Sequence, residues 1–412
     1  MPASPSTARA INDRLALRLL QQEGPLTAGQ LKHLTGLSRP TVADLVERLT
    51  VSGLITVVGE SGEQRRGPNA RLYGIVADRA HLAALDVRTD SVAVTVCDLI
   101  GRELAAESVP IGPGTGTGPA VEQAVTLVER AAKEAGAEEL HTVGIGAPGL
   151  IDPDTGELRG TTGLPEWHRR LVAALQDRLP RARVIVENET NLAALAEQRD
   201  GAARGRDTFV LLWLGHGAGA AVVLDGVLRH GASGGTGEIG FLPVPGTGGL
   251  PSATDCTGGF HSLAGSAAVA ELAARFGISA APAGREPAAA ELVRGAVRGD
   301  APRAAEFLDA LADRVTLAAA SVVAVLDPGC VVLGGEIGRA GGDALAARVA
   351  RRVARMSPLP TEVRASTLGG GAVLRGALLT ARDRAQEILF APPGPPPHPR
   401  ETPGPAAPPR PR

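Results

Sequence analysis

Four glycine-rich segments of this 412-residue chain are of the kind that approaches phosphate groups. Enzymes that transfer a phosphoryl group combine glycine-rich turns at the phosphates with a carboxylate for the metal and a base aligned with the acceptor hydroxyl. Taken singly each segment is a weak signal, because in a chain with 53 glycines most of them mark ordinary turns after strands. The segments are Gly144–Gly149, Gly215–Gly219, Gly334–Gly338 and Gly369–Gly371.

A second group of residues, near the N-terminus, is suited to DNA. In Ser38-Arg39-Pro40-Thr41 the hydroxyls can reach phosphates or base edges, and Arg39 can bond guanine with two hydrogen bonds. Arginines on a Gly/Pro-rich loop suit a narrow minor groove or the flanking phosphates. The predicted DNA-contacting set is Thr27, Ser38, Arg39, Pro40, Thr41, Arg65, Arg66 and Arg71, whereas Arg48 is expected to be an ordinary solvated residue.

Three short helices within residues 8–58 must position the first part of this set. The pattern predicts helices from Ala8 to Leu20, after Thr27 with Gln30 three residues on, and after Ser38 with Pro40 in its first turn. Both openings are capping signatures, since a hydroxyl accepts from an orphan amide and proline has no amide to leave unpaired. The expected apolar faces are formed by Leu31, Leu34, Val42, Leu45, Val46 and Leu49.

A turn and a hairpin complete the predicted N-terminal domain. Thr35-Gly36-Leu37 joins the second and third helices, which is the helix-turn-helix pattern. Strands over residues 54–58 and 70–74, with a basic tip over residues 59–68, predict a β-hairpin wing. The alternative is a small helical bundle whose charges face water; the order of these features within 75 residues favours DNA binding.

The rest of the chain alternates strands and helices over residues 82–390, which predicts an α/β body. Residues 82–104 and 209–228 each have the pattern of strand, turn, strand, glycine turn and strand, which indicates a duplicated fold with a cleft between two lobes. Eleven of the 22 residues in 391–412 are proline, so this tail is expected to be disordered.

Composition narrows the class of protein. The chain has no long apolar stretch and no secretory signal, and its three cysteines lie far apart, so we expect a cytoplasmic protein without disulfides and without a membrane partner. The net charge is −2, but residues 1–80 carry ten Lys/Arg against seven Asp/Glu. A basic N-terminal segment on an acidic body favours a polyanion as partner of that segment.

The order of four motifs resembles the ROK family, which holds repressors and sugar kinases on a duplicated actin-like, ribonuclease H-like fold. The motifs are Gly146-Ala-Pro-Gly149, Val186-Glu-Asn-Glu-Thr-Asn191, Gly231-Ala-Ser-Gly-Gly-Thr-Gly-Glu-Ile-Gly240 and Val332-Leu-Gly-Gly-Glu336. The resemblance covers about residues 8–385, and the winged N-terminal domain is similar to that of the repressor branch. It implies a winged helix-turn-helix followed by a two-lobed sugar-kinase-type α/β fold.

Two departures from the family's catalytic pattern predict that the chain is not an enzyme. Active members carry Asp-x-Gly-Gly-Thr for the ATP phosphates, whereas here Asp86 is followed by Val-Arg-Thr-Asp, so Arg88 replaces a glycine that lets phosphate approach. Glu189 occupies the position of the family's catalytic Asp, and its extra methylene displaces the carboxylate by about 1 Å, a shift that can cost ~100-fold in rate.

The zinc site of the family is also expected to be absent. Phe241 stands where the family has a zinc-binding His, and the cysteine segment has decayed to one Cys256 and His261. Zinc takes four ligands, and these two residues supply at most two of them. We therefore predict no metal and no cofactor.

The resemblance places a sugar in the cleft between the lobes. The predicted ligand-binding residues are Trp167, Asn188, Glu189 and Glu238; for Trp167 a position in the core is the alternative. Trp213 is expected in the core. The histidines expected to be structural are His81, His141, His216 and His230.

The sequence thus predicts a transcriptional regulator, a repressor of carbohydrate-related genes that binds double-stranded DNA as a homodimer or homotetramer and senses a sugar. Its predicted domains are 1–77 (winged helix-turn-helix), 78–200 and 201–390 (two lobes, the last helix returning to the first lobe) and 391–412 (tail). Three alternatives stay open: an active sugar kinase with a DNA-binding domain, a DNA-binding protein that ignores sugars, and an N-terminal domain that docks protein instead of DNA.

Overall fold

The computed structural model describes residues 5–61, 70–159, 164–254, 257–279 and 286–391. These residues form two compact units. One contains the chain up to Val76 together with the residues from Gln386 onward, and the other runs from Ala77 to Ala385. We call them the N-terminal unit and the body. The domain boundaries given above stay predictions.

Local capping builds the helix-turn-helix of the N-terminal unit. Thr27 accepts a hydrogen bond from the amide of Gln30 at 3.2 Å, and the Gln30 side chain accepts from the amide of Thr27 at 2.8 Å, a complete capping box. Gly36, at φ 69°, ends the second helix in the left-handed conformation. Ser38 caps the third helix, with Pro40 in its first turn. The predicted starts of the second and third helices are confirmed, whereas the first helix, predicted from Ala8 to Leu20, spans Pro5–Glu23.

A small apolar core and a three-stranded sheet hold these helices. The buried side chains include Leu17, Leu31, Leu45, Leu49 and Ile55. Leu34 was expected on the apolar face but is 46% exposed, so that prediction is wrong. Counted along the chain, the third strand of this sheet, which is the second strand of the wing, lies in the middle. It pairs with the first strand on one side and with the second on the other. The predicted tip beyond residue 61, with Arg65 and Arg66, lies outside the described residues.

The body contains two five-stranded sheets of identical topology. In each, three consecutive antiparallel strands are followed by two parallel ones. The first sheet has the order Glu103–Pro110, Ser91–Asp98, His81–Val87, Leu140–Ala147, Arg183–Asn188, and the second has the order Val227–Leu228, Ala218–Leu224, Phe209–Leu214, Cys330–Gly334, Glu362–Ala365. The predicted duplication is therefore confirmed. We call the half built on the first sheet the first lobe and the half built on the second sheet the second lobe.

Two glycines that the sequence marked for phosphate serve close packing of a helix on a strand. A Cβ on Gly144 would lie 2.4 Å from the carbonyl oxygen of Ala377, and one on Gly146 would lie 2.5 Å from Val373. Because Ala377 and Val373 belong to the last helix, that helix packs directly on the strand that contains both glycines, in the first lobe.

No helix among the described residues is both long and apolar enough to cross a membrane. The helices are α1 Pro5–Glu23, α2 Ala28–Thr35, α3 Arg39–Val51, α4 Thr117–Glu134, α5 Glu166–Arg178, α6 Glu189–Asp200, α7 His261–Ala264, α8 Ser266–Arg275, α9 Ala288–Arg298, α10 Ala304–Leu326, α11 Gly335–Met356 and α12 Ala372–Leu389. The strands are β1 Leu26–Thr27, β2 Ile55–Ser61, β3 Ala70–Ile75, β4 His81–Val87, β5 Ser91–Asp98, β6 Glu103–Pro110, β7 Leu140–Ala147, β8 Arg183–Asn188, β9 Phe209–Leu214, β10 Ala218–Leu224, β11 Val227–Leu228, β12 Cys330–Gly334 and β13 Glu362–Ala365.

Candidate DNA-binding surface and interlobe cleft

The exposed N-terminal end of α3 is the candidate DNA-reading surface. Arg39 is the first residue of α3 and is exposed, and no ion pair engages its guanidinium among the described residues. The hydroxyls of Ser38 and Thr41 lie 2.8 Å apart, and Ser38 Oγ accepts from the Thr41 amide at 3.3 Å. The two hydroxyls therefore stabilise the helix start, while Arg39 is free to reach a base edge.

Thr27 is not available for the DNA contact expected of it. It is 9% exposed, and its hydroxyl both accepts from the Gln30 amide and donates to the Gln30 side chain at 3.0 Å. The residue is thus part of a helix cap. Arg71 is exposed on β3, on the same hairpin as the undescribed tip.

Arg48 has a structural role that the sequence analysis missed. Its guanidinium pairs with Asp13 of α1 at 2.6 Å and also with Asp44, one turn earlier on α3. The hydrogen bond to Asp13 raises the pKa of Arg48. Arg48 therefore ties α3 to α1, and a partner 35 residues away could not be read from helical spacing.

Substitutions at Ser38 separate capping from DNA contact. Ser38→Ala is expected to lower the free energy of unfolding of the N-terminal unit by about 1 kcal/mol, because the cap bond to the Thr41 amide is lost. Ser38→Asp keeps a cap acceptor and hence the stability, but it adds a negative charge where DNA phosphates approach. Chemical denaturation measures the stability of the two variants, and titrations with DNA measure their affinity. Equal DNA affinity for Ser38→Asp and the parent protein would contradict the assignment of the start of α3 as a DNA-binding surface.

In the body, Arg88 lies in the cleft between the lobes and pairs with a carboxylate from each. Its Nε donates to Asp86 at the end of β4, and its Nη1 donates to Glu336 in the first turn of α11, both at 3.0 Å. The side chains of Asp86 and Glu336 are 7% and 13% exposed. Burial alone would lower the pKa of Arg88, but the negative charges of the two carboxylates have the larger combined effect, so the pKa of Arg88 is raised.

His168, and not its neighbour Trp167, contacts the Arg88 turn. Trp167 is 4% exposed in the core of the first lobe, so the expectation that it lines the ligand site is wrong. His168 stacks edge-on against Trp167, and its Nε2 lies 3.2 Å from the carbonyl oxygen of Arg88. Burial lowers the pKa of His168 to about 4, so the ring is neutral near pH 7 and donates to that carbonyl.

Glu189 is a carboxylic acid with an unsatisfied buried oxygen. It is the first residue of α6, and its Oε2 has no hydrogen-bond partner in the described structure. Burial raises the pKa of Glu189 to about 8, and the negative charges of Asp86, Glu238 and Glu336 add to the effect. Glu238 itself is exposed, ahead of a short 3-10 helix. The charge of Glu238 thus acts on Glu189, and a ligand-binding role for either residue stays a prediction.

Asn188 uses its side chain to build the cleft. Its Oδ1 accepts from the amides of Thr190 and Asn191, at 2.8 and 3.3 Å, and its Nδ2 donates to the carbonyl oxygen of Gly149 at 3.0 Å. These bonds cap α6 and fix the loop that follows β7. A ligand-binding role for Asn188 stays a prediction.

Two of the four glycine-rich segments do meet beside Arg88, around a small cavity. Gly334 and Gly335 at the start of α11 line it, as do Gly369 and Gly370 and also Trp213, which the sequence analysis had placed in the core. The cavity measures about 40 Å³. Ligand pockets typically measure about 300–1,000 Å³, so the space that the described residues leave beside Arg88 is well below the size of a ligand pocket.

His230, expected to be structural and without a partner, pairs across the cleft. Its Nε2 lies 2.7 Å from Glu187 Oε2 at the end of β8, and this hydrogen bond raises the pKa of His230. Of the residues at the position of the family's zinc site, Phe241 and His261 are described and Cys256 lies outside the described residues. Within the described part of the chain, no three His, Cys, Asp or Glu side chains are grouped to hold a metal.

The chain thus combines a winged helix-turn-helix with a duplicated α/β body that has a carboxylate-lined cleft, a body of the sugar-kinase-type fold. The chain belongs to the ROK family, whose model matches residues 82–384. A model of winged helix-turn-helix DNA-binding domains matches residues 9–56.

Individual relatives include both regulators and kinases. The chain is 27% identical over 244 residues to the DNA-binding transcriptional dual regulator NagC of Escherichia coli K12, covering 57% of this chain and 58% of NagC. It is 32% identical over 221 residues to a glucokinase of Thermotoga maritima, covering 50% and 66%. The chain thus spans less than two thirds of the length of these curated relatives.

A solved structure matches the fold over nearly the whole chain. It is a ROK family transcriptional regulator, a homolog of the E. coli MLC protein, with a TM-score of 0.73 and 20% identity. The match covers 93% of this chain and 98% of that one. At this identity the likeness establishes the fold, with the winged helix-turn-helix and the kinase-like body in one chain.

Proposed function

We propose that this protein is a DNA-binding transcriptional regulator, a repressor of carbohydrate-related genes, which senses a sugar or sugar derivative in a cleft that transfers no phosphate. The observation that carries the proposal is the pairing of Arg88 with Asp86 and Glu336. A guanidinium with its own two carboxylates fills the turn that a kinase leaves open for ATP. The N-terminal unit supplies the DNA-binding half, with Arg39 exposed at the start of α3.

The pKa of Glu189 alone does not argue against catalysis. A carboxyl with a pKa of about 8 could serve as a general base near neutral pH. We therefore base the proposal of a non-catalytic cleft on Arg88, whose guanidinium is held in this turn by two carboxylates, and on the cavity of only about 40 Å³ that the described residues leave beside it. In this protein we assign Glu189 to the hydrogen bonding of a sugar hydroxyl, with Glu238 as its partner.

The proposed mechanism is a shift of lobe closure by the sugar. A ligand moves such an equilibrium only by its different affinity for the two states. Because helix-turn-helix proteins read paired half-sites, we further propose a homodimer in which closure changes the spacing of two DNA-reading helices, acting in the cytoplasm.

DNA binding at two salt concentrations, with and without monosaccharides, tests the proposal. The purified protein is titrated onto DNA flanking its own gene in the presence of D-glucose, D-xylose or N-acetyl-D-glucosamine. We expect sequence-preferring binding that weakens by roughly a thousandfold or more between about 50 and 200 mM salt, and that one sugar changes. ATP consumption with the same sugars should be absent.

Each alternative gives a different result in this experiment. A kinase would consume ATP with one of the sugars. A DNA-binding protein that ignores sugars would bind equally with and without them, and an N-terminal domain that docks protein would show no sequence-preferring, salt-sensitive binding to DNA. Any of these three results would overturn the proposal.

A further inference from the structure

We propose that the ion pairs of Arg88 with Asp86 and Glu336, here called the cleft bridge, hold the two lobes closed against each other and are the contact through which a bound sugar alters closure. This inference rests on the proposed function for its link to DNA. The closing role itself concerns the body alone, so it can be tested without DNA or sugar.

The cleft bridge joins the two lobes directly through one side chain. Asp86 is the next-to-last residue of β4 in the first lobe, and Glu336 is the second residue of α11 in the second lobe. Arg88 and Glu336 are 248 residues apart in the chain. Both carboxylates are largely buried, so water competes little for their oxygens, whereas the Arg88 side chain is 35% exposed. An arginine that bonds two buried carboxylates in different lobes restrains their separation to within hydrogen-bond distance.

Both ends of the bridge are held firmly by their surroundings. The turn that carries Arg88 is closed by a hydrogen bond from the Arg88 amide to the Ser91 carbonyl at 2.9 Å, and neutral His168 donates to the Arg88 carbonyl. On the other side, a Cβ on Gly215 would lie 2.4 Å from Glu336 Oε2, so the turn after β9 packs against that carboxylate. Since neither end can follow the other far, the lobes separate only if the bridge breaks.

The bridge also lies close to the predicted sugar-binding carboxylates. The charges of Asp86 and Glu336 act on the buried carboxyl of Glu189. A hydroxyl that binds Glu189 changes the electrostatic surroundings of both bridge carboxylates, which gives a physical route from the sugar to lobe closure. His230 and Glu187 form another contact between the lobes, and this pair includes neither carboxylate of the bridge.

Hydrogen–deuterium exchange on the full-length protein, without ligand, tests the closing role. Glu336→Gln removes the contact between lobes and leaves the Arg88–Asp86 pair inside the first lobe. We expect about tenfold faster amide exchange both in residues 88–91 and in the first turn of α11. Arg88→Gln should give the same pattern, and the double variant should add nothing, since both changes break one bridge.

Arg102→Gln is the matched control. Arg102 pairs with Asp98 at 3.1 Å, an Arg–Asp pair with a buried carboxylate that lies wholly within the first lobe. Its loss should leave exchange in α11 unchanged. If Glu336→Gln speeds amide exchange only in α11 and leaves residues 88–91 unaffected, the proposal that the bridge closes the lobes is overturned. Melting curves check that each variant is folded.

A second readout separates this inference from the proposed function. If the parent protein binds DNA and responds to one of the three sugars above, Glu336→Gln should bind DNA but lose at least about tenfold of that response. A retained response would overturn the coupling of bridge and sugar. If the parent binds no DNA, the proposed function fails, and the exchange result still decides whether the bridge closes the lobes.

Discussion

Replacing Arg39 with Ala is expected to weaken binding to the preferred DNA site by about 5- to 150-fold while the protein stays folded. One bidentate contact of an arginine with guanine is worth roughly 1–3 kcal/mol of discrimination. Arg39 is exposed at the first position of α3, and the cap of that helix is made by Ser38 and Thr41, so its removal leaves the helix intact. Fluorescence anisotropy on the preferred site and on a site with the contacted guanine changed measures the effect.

Arg48→Ala is the matched control on the same helix. Arg48 is engaged by Asp13 and Asp44, so its loss should lower the melting temperature of the N-terminal unit and leave the preference between the two DNA sites unchanged. If Arg39→Ala instead weakened both sites equally, Arg39 would contact phosphate and the base-reading assignment would be wrong.

The parts of the structure that sequence predicted are those governed by neighbours in the chain. Thr27 with Gln30 and Ser38 with Thr41 are contacts over three residues, so residue types alone placed the starts of α2 and α3. The repeated strand pattern likewise placed two sheets, because alternation and glycine turns are local signals.

The parts that sequence missed depend on partners far along the chain or on the rotation of a helix. The substitution of Arg88 was visible, but its pairing with Glu336 was not, nor was that of His230 with Glu187. Trp167 and His168 are adjacent on α5, and a change in helix rotation of one residue decides which of them faces the core and which contacts the Arg88 turn. Only the packed structure fixes that rotation.

The buried carboxyl of Glu189 is expected to make the stability of the body fall as pH rises. Its pKa is raised from an ordinary 4.5 to about 8. Between these pH values the folded protein keeps a proton that the unfolded chain releases, so the stabilisation is complete below about pH 4.5 and is lost as pH approaches 8. A shift of this size corresponds to roughly 5 kcal/mol at most.

Glu189→Gln removes this dependence, because the amide resembles the protonated carboxyl in shape and cannot ionise. The free energy of unfolding of the variant minus that of the parent, from urea titrations at pH 5.5, 7 and 8.5, should rise by about 2 kcal/mol or more across the series. Taking the difference cancels the titration of groups such as His230 that both proteins share. Glu166→Gln is the control, since Glu166 is also the first residue of a helix but is exposed and paired with Arg170. Its difference should stay constant with pH, and a constant difference for Glu189→Gln as well would mean that Glu189 is ionised in the folded cleft, with a solvent or protein partner for its Oε2.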